Sequence, residues 1–217
     1  MNTLKRNGFA WAALALMTAG SVYAWGRLPQ QLPVHWGIDG QPDRFGGRLE
    51  ALGIFPLVCL LLYALALFLP QLTKQSEANR RLTRAIVQLV IGGLAALHFA
   101  LIANHLGAGL SVPRVAGLVV GVILMGTGNL LPKVEPNRWL GVRTPWTFRS
   151  KASWHKTQRA GGWVLSACGA AFFLTALLSP STAALAAVTG VTLIGVLFLT
   201  VYSYRVWRDD AHPEPSL

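Results

Sequence analysis

Acidic residues are scarce in this chain: 8 Asp and Glu stand against 19 Lys and Arg in 217 residues, and charged side chains of both signs make up only 12%. An ordinary soluble domain carries about 25%, so this chain has too little charge to cover a surface facing water. Cysteine is nearly missing as well. Cys59 and Cys168 each lie inside an apolar stretch with no CxxC spacing, which argues against a disulfide framework or a zinc site and leaves them as small packing residues. The nucleophile elbow, the HExxH pair, the P-loop and the dinucleotide fingerprint are absent, so the usual sequence signatures of an enzyme are missing. Ser153 and His155 are close in sequence, but a working dyad needs its base oriented by a third group, and the neighbours are cationic or neutral. Neither enzymatic activity nor a cofactor is expected.

What the chain does have is apolar length. Hydrophobic residues make up 53% and the mean hydropathy is +0.46. Six stretches approach the ~20 apolar residues that cross a bilayer. They are residues 9–25, 51–70, 85–103, 115–131, 160–178 and 182–204, and none contains Asp, Glu, Lys or Arg. The connections are mostly too short for a separate soluble domain of ~100 residues. The expectation is one all-α, polytopic integral membrane domain over residues 1–217, with six transmembrane helices. A secretory signal is the competing reading of the first stretch, because Lys5 and Arg6 precede it and Val22-Tyr23-Ala24 passes as a cleavage site. Its apolar run exceeds the ~7 to 15 residues of a signal core, and Trp25 suits an interfacial anchor, so a retained helix is expected.

The net charge of +11 is distributed by side: with six spans, 15 Lys and Arg fall with the two termini, and only Arg27, Arg44, Arg48 and Arg114 fall opposite. Positive residues beside span ends stay in the cytoplasm. Both termini and the loop 132–159 are therefore expected inside a cytoplasmic membrane, and the loop 26–50 outside. The charges flank spans and do not gather into a soluble reading domain, so direct nucleic-acid binding is not expected.

The outer loop intersperses Pro29, Pro33 and Pro42 with Gly37, Gly40, Gly46 and Gly47, residues that punctuate helices. Asp39-Gly40 fits a tight turn that Gln41-Pro42-Asp43 continues, which predicts a compact cap with a short extended segment at Leu32–Trp36. His35, Asp39 and Asp43 could converge on a metal, but an i, i+4 pattern in a Pro/Gly-rich loop has no fixed ligand geometry. Turn-forming Asp side chains and a hydrogen-bonded His account for the same residues, and no metal is expected. Inside the spans, Gln88, His98 and Asn129 have no charged partner, so interhelical hydrogen bonds suit them better than a proton relay. Gly117 and Gly121 form a GxxxG pair, and Gly162, Ser166 and Ala170 continue a small-residue face, both patterns of close helix packing.

The densest signal is Asn137–Arg159, where three Trp and six basic residues stand between two apolar stretches. Rings and cations of this kind suit the boundary between lipid and water, beside anionic head groups. Pro145 disfavours helix at Thr144. The chain should therefore break at Arg143-Thr144-Pro145-Trp146, before a weakly amphipathic helix from about Ser150 to Arg159. That helix is expected to be N-capped by Ser150, to lie along the inner surface and to lead into the fifth span at Ala160.

Asn129-Leu130-Leu131-Pro132-Lys133, then Asn137-Arg138-Trp139-Leu140-Gly141-Val142-Arg143-Thr144-Pro145-Trp146-Thr147 and Trp154, resemble the signature of the SdpI family of bacterial membrane proteins. Pro33-Val34-His35-Trp36 and Gly40-Gln41-Pro42-Asp43 resemble the small domain of unknown function often found at the N-terminus of these proteins. Together the resemblance covers nearly the whole chain. It implies a six-helix protein whose best-known relative confers immunity to a secreted antimicrobial peptide toxin and recruits a cytoplasmic repressor to the membrane when toxin is present. It marks Asn129, Pro132, Asn137, Gly141, Arg143, Thr144, Pro145, Trp146 and Trp154 as the inner-loop motif. On this reading an outer ligand contacts His35, Trp36, Asp39, Asp43 and Arg44. By preferring one of two bundle arrangements it shifts the exposure of the inner loop, where Arg143, Trp146, Arg149, Lys151, Trp154 and Lys156 meet an acidic protein surface. Anchoring of the same loop to anionic lipid, at ~1 kcal/mol per basic residue, stands beside it. The alternatives are a small-molecule or peptide transporter, which the uncharged spans disfavour, and a structural envelope protein that binds anionic lipid.

Overall fold

The computed structural model describes residues 3–178 and 181–216. In chain order the elements are α1 (Thr3–Trp25), β1 (Gln31–Trp36), β2 (Pro42–Gly47), α2 (Arg48–Leu72), α3 (Glu77–Ala103), α4 (Val112–Leu130), α5 (Pro145–Arg149), α6 (Lys151–Leu178) and α7 (Thr182–Arg208). All of these helices except α5 are long and apolar enough to cross a membrane, which makes six, as the sequence predicts. The extended segment expected at Leu32–Trp36 is β1, paired antiparallel with β2.

Serine starts four of the helices. The first four N–H groups of a helix have no partner within it, and a Ser oxygen takes one of them. Ser76, Ser111 and Ser181 accept from the amides of Asn79, Arg114 and Ala184 at the starts of α3, α4 and α7. Ser150 accepts from Ser153 N at 2.9 Å at the start of α6, the cap expected there. The rest of that expectation needs correction. There is no separate surface helix ending near Arg159: α6 runs unbroken from Lys151 to Leu178, and Trp154 in its first turn is fully buried.

The bundle is ordered around α3, α4 and α6. α3 packs against α1 and α2 and also against α4, while α6 lies against both α4 and α7. α7 leaves Val191, Leu193, Ile194 and Leu197 exposed, an apolar flank that lipid would cover.

The α4–α6 contact is backbone on backbone. A Cβ placed on Gly121 would lie 2.8 Å from Gly169 O and from Phe173 N, and one on Gly169 would lie 2.7 Å from Gly121 O and from Met125 N. Gly128 and Gly162 face each other in the same way, each Cβ position falling under 3 Å from the other's carbonyl oxygen. The glycines expected on α4 are therefore used as expected. On α6, Gly169 takes the place assigned to Ala170. The facing residues Gly162, Ser166, Gly169, Phe173 and Ala176 alternate steps of four and three, close to the ~3.5 spacing that keeps one face on one partner, whereas steps of four alone drift off the contact.

α1, α2 and α3 meet around a polar knot. Pro56 inside α2 has no N–H to offer the carbonyl of Leu52, and Ser21 Oγ of α1 donates to that carbonyl at 2.9 Å. His98 of α3 is fully buried, with Nε2 3.2 Å from Met17 O and 3.1 Å from Ser21 Oγ. A carbonyl can only accept, so Nε2 carries the hydrogen. His98 is thus an interhelical hydrogen-bonding residue, the preferred reading of the sequence.

Gly128→Ala should lower stability by about 1–3 kcal/mol, the usual range for overpacking, because its Cβ would lie 2.7 Å from Gly162 O. Gly190→Ala, where nothing lies within 4 Å, should show no loss. Thermal unfolding of the two variants in the same detergent makes the comparison.

Candidate functional site

Two places in the fold gather the residues picked out from sequence, one at each end of the bundle. At the hairpin end, Gly40 takes φ +79° and Asp39 Oδ1 accepts from Gln41 N at 3.0 Å, so Asp39-Gly40 forms the expected tight turn. The strand register slips between Pro33 and Trp36, which sets His35 opposite Arg44 and brings His35 Nδ1 to 2.6 Å from Asp43 Oδ1. Arg44 Nη1 donates to Glu50 Oε1, also at 2.6 Å. Both pairs are well exposed and contribute little to stability. Asp39 bonds its own turn, apart from the His35–Asp43 pair. Among the described residues no group of three or more His, Cys, Asp or Glu is placed to hold a metal.

The hairpin is tied down by its other face. Leu28 and Leu32 are buried with Ala24, Ala51, Leu52 and Ile102, the Arg48 guanidinium donates to the carbonyls of Leu28 and Pro29, and Thr182 Oγ1 donates to Ile38 O. Leu32, Val34 and Trp36 alternate along β1, so they share the face toward the bundle. Under that face are two apolar clefts. One, of about 460 Å³, is lined by β1, α4, Phe172 of α6 and the start of α7. The other, of about 400 Å³, is lined by β1, α2, α3 and α4, with Arg44 and Glu50 among its residues. Val34, Trp36, Val112 and Ala116 line both, so the strand and the start of α4 form a shared wall. Of the proposed ligand contacts, Trp36 lines both clefts, while His35 lines the first and Arg44 the second. Asp39 and Asp43 line neither.

At the other end, between α4 and α6, residues 131–150 fold into a junction made largely from backbone held by side chains. Leu131–Lys133 form a single 3-10 turn, with the Pro132 ring close over Gly162. Trp154 Nε1 donates to Val134 O at 2.9 Å and its ring stacks on Phe148 at 6.3 Å between centroids. Asn137 uses all its capacity: Oδ1 accepts from Trp139 N at 2.7 Å and Leu140 N at 2.6 Å, and Nδ2 donates to Glu135 O at 2.8 Å and Leu140 O at 3.1 Å. Thr144 has extended backbone and a side chain that accepts from Thr147 N, while Thr147 returns a bond to Thr144 N, a capping box that starts α5 at Pro145. Gly141 takes φ +102°, and its missing Cβ leaves space that Gln158 Oε1 occupies, 2.7 Å from the Cβ position.

The motif residues thus divide by role. Pro132, Asn137, Gly141, Thr144, Pro145 and Trp154 shape the junction. Trp146 packs edge-on against Tyr204 of α7, with ring centroids 5.2 Å apart. Arg143 and Asn129 are exposed, with Arg143 Nη1 donating back to Arg138 O at 2.9 Å. Arg149, Lys151 and Lys156 are exposed beside them, so the polar outer surface of the junction is basic.

Three positioning residues escape the sequence reading. Gln158 accepts from Val142 N at 2.9 Å and donates to Val142 O at 3.0 Å, pairing a backbone that no strand or helix covers. Asn79 of α3 does the same for Glu135, accepting from its amide and donating to its carbonyl, both at 3.1 Å. Ser203 of α7 meets the Thr144 hydroxyl at 2.9 Å, and its carbonyl accepts from Ser153 Oγ at 2.9 Å. One signal was available. Ser153, Trp154, Thr157 and Gln158 are buried while Lys151, His155, Lys156 and Arg159 are exposed, a division into two helix faces. The buried face is mostly polar, so hydropathy does not reveal it.

The fold and these two ends define a multi-pass membrane protein with a hairpin cap and a structured junction. Residues 133–203 match the SdpI/YfhL protein family and residues 12–60 match the domain of unknown function DUF1648. The chain is 25% identical over 207 residues to the Immunity protein SdpI of Bacillus subtilis (strain 168), covering 94% of this chain and 97% of that protein. It is also 38% identical over 60 residues to an uncharacterized protein of Archaeoglobus fulgidus, covering 28% of this chain and 32% of that one. No solved structure matches. These matches bear out the resemblance to the SdpI/YfhL family that the motifs suggested. The DUF1648 segment contains the hairpin, and the SdpI/YfhL segment contains most of the junction.

Gln158→Ala should cost about 1–3 kcal/mol, the usual penalty for leaving a buried group without its partner. Asn129→Ala, at an exposed motif position, should stay within about 0.5 kcal/mol of the parent. Thermal unfolding of the purified variants measures both.

Proposed function

We propose that this protein is an immunity protein of the cytoplasmic membrane, giving resistance to a secreted antimicrobial peptide toxin that it binds beneath the hairpin. The observation that carries this reading is the pair of apolar clefts sharing a wall of Val34, Trp36, Val112 and Ala116. An amphipathic peptide arriving from the membrane surface finds there an apolar lining with His35 beside one cleft and the Arg44–Glu50 pair beside the other. Binding sites of this kind are apolar with a few placed polar groups. Asp39 and Asp43 take the outer part of the contact, as charged residues that meet a cationic peptide first and speed its arrival. The relative named as an immunity protein aligns along almost the whole chain, which supports the same reading.

The hairpin end faces outward and the junction faces the cytoplasm, an orientation supported by the excess of Lys and Arg on the junction side. The bilayer is the first partner of the junction, whose exposed Trp139 and basic residues suit an anionic head-group layer. Arg143, Arg149, Lys151 and Lys156 also present a basic surface to an acidic cytoplasmic protein such as a transcriptional repressor, the second partner of a signalling immunity protein. Trp146 and Trp154 are packed inward, so they support that surface without forming it.

Survival of a toxin-sensitive bacterium, challenged with a family-type peptide toxin, tests the reading. The wild-type chain should protect. Ala116→Phe, which fills the shared wall, and Trp36→Ala should each lower the tolerated toxin dose at least ten-fold at matched membrane levels, and Asp43→Ala less. Arg143→Ala should keep protection and lose only recruitment of a cytoplasmic partner. A well-inserted wild-type chain that gives no protection overturns the reading. Orientation has its own check: a membrane-impermeant maleimide should label Gln41→Cys in intact cells and His155→Cys only after permeabilisation, because Cys59 and Cys168 are buried and contribute little background.

A further inference from the structure

The surface where α5 meets α6 is covered by residues 211–216. We propose that this surface is an acceptor site for an extended, proline-flanked acidic segment, and that residues 211–216 fill it in cis. The backbone at this point has unpaired groups to offer. α5 has five residues, so the carbonyls near its end lack an N–H four residues further on, and the amide of Lys151, first in α6, has no preceding turn to donate to.

The 211–216 segment supplies the complementary groups. Lys151 N donates to Glu214 O at 2.8 Å and Ser216 N donates to Phe148 O at 3.0 Å. Ser216 Oγ donates to Thr147 O at 2.6 Å, and Lys151 Nζ meets Glu214 Oε2 at 2.9 Å. Just before the segment, Asp210 Oδ2 accepts from Ser150 Oγ at 2.6 Å, which fixes where the chain enters. Alternate residues, 214 and 216, face the junction, the pattern of an added strand. Pro213 and Pro215 hold the intervening chain extended and carry no amide that would need a partner.

The attachment is directional but shallow. Residues 211–215 are all exposed, and the Lys151–Glu214 pair is 59% and 72% exposed, so water and salt screen it. A segment that buries so little apolar surface can be replaced by another of the same chemistry. The exposed basic residues Arg149, Lys151 and Lys156 around it favour an acidic replacement. The surface is therefore a switchable docking site: closed by the chain's own Glu214 and Ser216, and open to an acidic extended peptide when they leave.

The test uses the chain lacking residues 211–217, reconstituted in nanodiscs, and a fluorescent peptide with the sequence of residues 211–216, AHPEPS. The truncated chain should bind the peptide, and the full chain should bind it at least ten-fold more weakly. A peptide with Lys in place of its Glu should not bind either form. Hydrogen exchange at the Lys151 amide should speed up on truncation and slow again when the peptide is added. If truncation impairs folding, Ser216→Pro in the full chain serves instead, since it removes both the amide and the hydroxyl that hold the segment and should open the site. The proposal is overturned if folded truncated and Ser216→Pro chains both fail to bind, or if the full chain binds as tightly as the truncated one.

Discussion

The contact between α4 and α6 sets the geometry of the rest. Two helices in lipid gain no hydrophobic advantage from touching each other, so close packing of small residues has to bring them together. Here that packing reaches the backbone where Gly121 meets Gly169 and, near the junction, where Gly128 meets Gly162, while toward the hairpin Gly117 receives the Ala176 methyl. Both candidate sites depend on it. At one end it places Gly117 and Phe172 together in the wall of the first cleft. At the other it brings Pro132 over Gly162, which leads the chain directly above Trp154 and lets the Val134 carbonyl take the indole N–H.

A second constraint is the cost of an unpaired backbone group away from water, which is several kcal/mol in lipid. The chain answers it with side chains that pair both groups of one peptide unit or residue. Asn79 does this at Glu135 and Gln158 at Val142, and Ser21 takes the carbonyl that Pro56 leaves without a helical donor. These amides and hydroxyls do for irregular chain what a helix does for itself. The junction can therefore pack tightly between helices without being either helix or strand, and it needs glycine only where Gly141 turns to positive φ against Gln158.

How much of this could be read from the sequence follows from which patterns hydropathy carries. The six spans, the Asp39-Gly40 turn, the strand before it and the Ser150 cap were all legible, because each rests on composition or on local backbone preference. The face of α4 was legible as well, since glycine at a spacing of four has few other uses in an apolar helix. The start of α6 was not. Its first three turns bury Ser153, Thr157 and Gln158, and a polar residue that is buried because it is hydrogen-bonded looks, in sequence, like one facing water. The same reason hides Asn79 and Ser203, whose partners lie 56 and 59 residues away in sequence. Gly169 was missed for a geometric reason, the alternation of four and three that a search at a spacing of four steps over.

The two kinds of helix contact differ in how readily they can move, and that difference bears on how the two ends could communicate. The α4–α6 contact has main-chain atoms on both sides, so sliding it would drive backbone into backbone. The α3–α4 contact instead sets the side chains of Ile123 and Leu89 into the spaces left by Gly93 and Gly126, and side-chain ends can rotate to accept a shift. Of these two contacts it is the α3–α4 one that yields more easily. The second cleft lies along it, lined by Leu94 and Leu97 of α3 and by Val112 and Ala116 of α4, and the far end of α3 holds the junction through Asn79 and Glu135. On the proposed function, a ligand wedged into that cleft would work against the softer contact. The displacement would reach the junction through α3, a rigid element bonded to the peptide groups on either side of Glu135, while α4 and α6 kept their register.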